Sequence, residues 1–152
     1  MNNVLRGALL VLAALLPICT ALPARAQSCA GGAEVPRPGL VGVLHRGGFS
    51  GVLDDSASIR FAGCLKEPRE ELSVYYYERV SGGARRMTAR LIVLSNVTGY
   101  LGMYAVSGPP SAVNGNQVVF PVPEHQGNVI TLRDGKFPRR VLVDGELRDF
   151  FK

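Results

Sequence analysis

The sequence predicts an all-β fold: a single small antiparallel barrel or two-layer sandwich of about 8 strands, preceded by a cleaved signal peptide. Three observations predict it. Eighteen glycines and ten prolines are spread through the 152 residues instead of gathering in one linker. Between them lie short runs rich in Val, Ile, Tyr, Phe and Thr, residues that suit a pleated, half-buried surface. Tight-turn dipeptides recur at Asn114-Gly115, Asp134-Gly135 and Asp144-Gly145, where a hairpin needs residues that tolerate positive φ.

The leader comes first. Met1–Arg6 is short with one positive charge, Gly7–Leu22 is almost wholly apolar, and Ala24-Arg25-Ala26 supplies small residues at the positions a signal peptidase reads. The apolar run is shorter than the roughly 20 residues a spanning helix needs and is broken by Pro17, so cleavage after Ala26 is favoured over anchoring. The domain organisation expected is 1–26 signal peptide, 27–38 an N-terminal segment tied by a disulfide, and 39–152 a β domain. The short basic start and Ala-rich cleavage region look bacterial, which makes the destination periplasmic or secreted, with no stable membrane span after cleavage.

Cleavage removes Arg6, Arg25 and no acid, so the net charge falls from +5 to a mildly basic +3. Export to that compartment argues against nucleic acid as a partner, and no run of one sign suggests otherwise. Cleavage also removes Cys19 and leaves two cysteines, Cys29 and Cys64. In an oxidising space the pair reads as one disulfide, and the absence of Cys-x-x-Cys argues against a redox centre. In the chain-entropy view, closing such a loop is worth about 4 kcal/mol at most.

Strands are expected near 40–45, 51–53, 57–63, 72–80, 85–95, 99–107, 116–122, 128–133 and 139–151, the last dividing at Asp144-Gly145. Glu67-Pro68-Arg69-Glu70-Glu71 resembles a helix start, but Val74-Tyr75-Tyr76-Tyr77 and the Ser81-Gly82-Gly83 turn favour a strand.

Catalytic and cofactor motifs are absent from the sequence. The two histidines, His45 and His125, lie eighty residues apart and outside any metal-ligand spacing. His125 reads as a loop residue, Asp54-Asp55 as a turn, and no metal or cofactor is implied. The tyrosines are the most informative feature. Alternation puts Tyr75 and Tyr77 on one face of their strand, and Tyr100 and Tyr104 together on one face of theirs, across Gly102. With Leu101, Met103 and Ala105 turned to the core, Tyr100 and Tyr104 would point outward or into a cavity. Clustered tyrosines near Arg85, Arg86 or Arg90 resemble a recognition surface. Candidate partner-binding residues are therefore Tyr75, Tyr77, Tyr100, Tyr104 and Arg86. The competing account is that these rings fill half-buried sheet positions.

The function this supports is an exported, non-enzymatic binding protein that recognises an envelope protein or a glycan. Two alternatives remain beside it: a β-barrel carrying a small ligand, and a hydrolase whose histidine meets a nucleophile and a carboxylate from distant parts of the chain.

Overall fold

A computed structural model describes residues 37–121 and 128–152. The leader, Cys29 and His125 lie outside the described residues. The fold is antiparallel β with one short helix: α1 (Arg37–Arg46), β1 (Ala57–Lys66), β2 (Glu71–Ser81), β3 (Arg86–Ser95), β4 (Gly99–Ala105), β5 (Ala112–Asn114), β6 (Gln117–Val119), β7 (Val129–Thr131), β8 (Arg140–Val143) and β9 (Glu146–Phe151). Six strands form one sheet in the order β1-β2-β3-β4-β9-β8, and β5-β6-β7 form a second. The small sheet lies near both margins of the large one, with β5 against β1 and β7 beside β8. No strand ladder joins the two sheets among the described residues, so the protein is not a closed barrel.

Turn chemistry sets the hairpins. Asp144 and Gly145 both hold positive φ and form a two-residue loop between Val143 and Glu146, which splits the last strand run where the sequence predicts. Gly82 and Arg85 do the same for the four-residue loop joining β2 and β3. Asp54 closes a turn by accepting bonds from the Ser56 backbone and hydroxyl.

Residues 40–45 are helix, not the predicted strand. Leu40, Val43 and Leu44 share one helical face, and Leu40 and Leu44 are buried in the core. The helix ends in a Schellman motif: Phe49 N–H donates to the Leu44 carbonyl (3.0 Å) and Gly48, at φ 83°, donates to that of His45 (3.2 Å). Phe49 then packs beside Leu44, as that motif favours. Residues 51–53 form no strand; they run as a loop over the sheet. Strand β5, too short to stand out in the sequence, was not expected.

The large sheet is covered on both faces. Helix α1 and Phe49 bury one side with Ala57, Tyr75, Tyr77, Ile92, Leu94, Tyr100 and Met103. The small sheet and the β7–β9 region bury the other side with Val74, Tyr76, Leu91, Val93 and Tyr104. Two bulges adjust the faces. Ala62 is the extra residue in β1, and Leu101 is the extra residue in β4. At the second, Gly102 has φ 156° and a Cβ there would sit 2.6 Å from Phe150 Cζ and 2.9 Å from the Phe151 carbonyl oxygen. The bend needs glycine because β9 crosses so closely.

Candidate binding site

The four tyrosines do not form an exposed surface. Tyr75, Tyr77, Tyr100 and Tyr104 are each at most 3% exposed. Tyr100 and Tyr104 also lie on opposite faces, because the extra Leu101 breaks strict alternation: Tyr100 pairs with Leu94 on the helix side, and Tyr104 pairs with Leu91 on the other. The expectation of a shared face is thus corrected by the bulge. Tyr75, Tyr77 and Tyr100 do converge, but inside the core. Phe49 makes edge-on contacts with Tyr77 (5.4 Å) and Tyr100 (5.8 Å), and Phe61 makes one with Tyr75 (5.5 Å). Tyr104 packs instead on Phe150 at 4.9 Å.

Their hydroxyls differ. Tyr77 donates to the Val52 carbonyl (2.8 Å), and Tyr104 to that of Pro138 (2.6 Å). The buried Tyr100 hydroxyl has no hydrogen-bond partner among the described residues. Burial pushes the Tyr100 phenol up to about 12. It does the same at Tyr76, where the Glu78 carboxylate adds to the effect. Arg86 and Arg85 are exposed at the β2–β3 hairpin and line neither of the clefts described below. Cys64 pairs with Ser73 on the helix-bearing side, while Cys29 lies outside the described residues.

What remains open is the end of the helix-bearing face that α1 does not reach. The cross-strand register lays Arg79 beside Thr88, Tyr77 beside Arg90, and Met103 beside Phe151. Together with the Ser50–Val52 loop they line a shallow groove of about 180 Å³. Tyr77 and Met103 are buried at its floor, whereas Phe151 is 37% exposed. The Arg90 guanidinium lies 5.8 Å from the centre of the Phe151 ring, a cation–π arrangement.

Of the two arginines lining this groove, one is paired with a carboxylate and one is not. Arg79 holds Asp54 through Nη2 (2.9 Å) and Nε (3.4 Å), and this keeps the Asp54 carboxyl down at about 2. Arg140 holds Asp149 through Nε (2.7 Å) and Nη2 (3.3 Å), which lowers that carboxyl as well. Arg90 donates only from Nη1, to the Ala89 carbonyl at 2.9 Å, and has no carboxylate partner among the described residues. The groove is therefore a small apolar and hydroxyl-edged surface carrying one unbalanced positive charge.

A larger cleft of about 390 Å³ lies between the end of α1 and the β3–β4 turn. Within it the Ser95 hydroxyl donates to Glu70 and accepts from the Val97 and Thr98 backbone, and Tyr100 lines it as well. His45 is exposed on the last turn of α1. Among the described residues no three His, Cys, Asp or Glu side chains gather as a metal site, and no helix is long and apolar enough to cross a membrane.

Sequence reasoning named Arg90 and Tyr77 but missed Phe151, Thr88 and Ser50. The signal for Phe151 was present: in the terminal Phe150-Phe151 pair a strand turns one ring inward and the other outward. Compared with known proteins, the chain matches no family model, no curated protein and no solved structure.

Proposed function

We propose that this chain is an exported, non-enzymatic binding domain of the periplasm or the surrounding medium, and that it recognises an envelope protein or glycan through the open groove. The observation that carries this reading is Arg90, unbalanced in charge and laid over the exposed Phe151 ring. An arginine on an aromatic is a combination that interfaces use as an anchor, because it offers contact area and charge together. The rest of the groove suits contact more than chemistry. No carboxylate or imidazole stands among its lining residues to activate the Thr88 or Ser50 hydroxyl. The leader Met1–Ala26 supports export, and a Cys29–Cys64 bridge fits a domain living in an oxidising space.

The test uses the oxidised protein immobilised and exposed to solubilised envelope fractions. Arg90→Ala and Phe151→Ala are compared with Met87→Ala, which alters the exposed far end of the β2–β3 hairpin. The expected result is a captured component, identified by mass spectrometry, that both groove variants lose and the control keeps. Equal capture by all three folded variants removes the groove from the reading.

A further inference from the structure

From the donor geometry of Arg90 we infer that the groove takes the carboxylate of an acidic sugar residue, the uronic-acid kind found in anionic glycans. This rests on the groove being the binding site and names its ligand class.

Two other arginines of this face, Arg79 and Arg140, display what such an arginine does here. Arg79 and Arg140 each present the parallel Nε and Nη2 donors to a carboxylate, Asp54 and Asp149 respectively. That edge matches the two oxygens of a carboxylate. Arg90 spends Nη1 on the Ala89 carbonyl, while its Nε and Nη2 have no acceptor among the described residues. The edge that Arg79 and Arg140 use for a carboxylate is thus left without an acceptor in Arg90, which lines the groove. The guanidinium lies 5.8 Å from the centre of the Phe151 ring, so a carboxylate bound to it would rest beside that ring.

The remaining walls separate a sugar from a peptide. An extended peptide gains affinity by adding main-chain hydrogen bonds to a sheet edge. The groove lies on a sheet face, over the interior strands β2, β3 and β4, where Tyr77, Arg79, Arg90 and Met103 are each paired to a strand on either side and Thr88 alone lies past the end of the β3–β4 ladder. It offers no row of main-chain partners. A pyranose acid requires none. Its C–H face meets the apolar Phe151 and Met103, its hydroxyls reach Thr88 and Ser50, and its carboxylate meets Arg90. A groove of about 180 Å³ holds a unit of this size and not a long segment.

The test is a titration of the isotope-labelled, oxidised protein, followed by amide NMR. The probes are glucuronate, an oligouronate, glucose, acetate, and a short peptide with a free C-terminal carboxylate. The expected result is saturable shifts at Thr88, Arg90 and Phe151 with glucuronate, stronger with the oligouronate and absent with glucose. Arg90→Lys keeps the charge but loses the paired donors, and is expected to weaken binding at least tenfold. Acetate matching glucuronate, glucose matching it, tighter binding of the peptide at the same amides, or full binding by the folded Arg90→Lys variant each overturns the inference. If uronates fail while Arg90→Ala and Phe151→Ala still lose the captured envelope component, only the ligand class falls. If those variants keep the component, the groove itself falls.

Discussion

Removing the Tyr100 hydroxyl is expected to stabilise the protein, while the same change at Tyr104 destabilises it. Both rings are buried and both changes delete one oxygen. The difference lies in what each oxygen does. The Tyr100 hydroxyl lost its water on folding and gained no partner among the described residues, a penalty of about 1–3 kcal/mol. Tyr100→Phe relieves that penalty and leaves only a small void, for a net gain of about 1 kcal/mol. Tyr104 donates to the Pro138 carbonyl at 2.6 Å, so Tyr104→Phe strands a carbonyl and costs about 1–2 kcal/mol. For a domain of this size, 1 kcal/mol moves Tm by about 3–5 °C. The assay is urea unfolding, with the slope required to stay constant so that a midpoint shift reports stability alone. A second readout follows from burial: the Tyr100 phenol is pushed from 10.0 to about 12 in the fold. A group whose folded value is raised contributes stability below pH 10 that is lost as pH climbs through 12. The Tyr100→Phe variant should therefore show a shallower alkaline decline. Destabilisation by Tyr100→Phe would refute the reasoning, because it would mean the hydroxyl is bonded.

Gly102→Ala is expected to cost about 1–3 kcal/mol, read by the same unfolding curves, since the new methyl meets the Phe150 ring and the Phe151 carbonyl oxygen; a neutral effect would show that β9 shifts readily. Asp54 has its folded pKa lowered from 3.8 to about 2, so its contribution is present above pH 4 and lost as pH falls toward 2. Asp54→Asn should flatten that acid limb, checked by thermal melts between pH 5 and 2. The proposed Cys29–Cys64 bridge predicts no alkylatable thiol in the denatured, unreduced exported protein. Reduction is then expected to lower stability by up to about 4 kcal/mol.

Much of the strand placement along the chain was legible because hairpin turns write themselves in Gly and Asp. The β2–β3 and β8–β9 hairpins follow directly from Gly82-Gly83 and Asp144-Gly145. Helix α1 was not legible. Val41 and Val43 favour strand locally and Gly42 weakens a helix, but the Leu40–Leu44 stripe finds a large aromatic surface to cover, and tertiary burial wins. The tyrosine faces failed for a different reason. Alternation is a local rule, whereas the Leu101 bulge comes from how β4 pairs with β3 and meets β9. Only Gly102 hinted at it. The groove was half visible: Arg90 could be suspected from its neighbours, but its lack of a carboxylate depends on which acids Arg79 and Arg140 had already taken.

The Leu101 bulge also sets where this chain can change length. Deleting Leu101 would close the bulge with Tyr100 still opposite Leu94 and Gly102 opposite Val93, but losing any residue from Gly102 to Tyr104 would turn part of β4 into the wrong layer, so both packed layers would have to be rebuilt at once. The exposed loop at 82–85, held by its flanking pair Ser81 and Arg86 and by the Arg85 N–H donating to the Gly82 carbonyl, imposes no such requirement. Insertions and deletions among relatives of this chain should accumulate at that loop, and within β4 only the bulge position Leu101 should be open to loss.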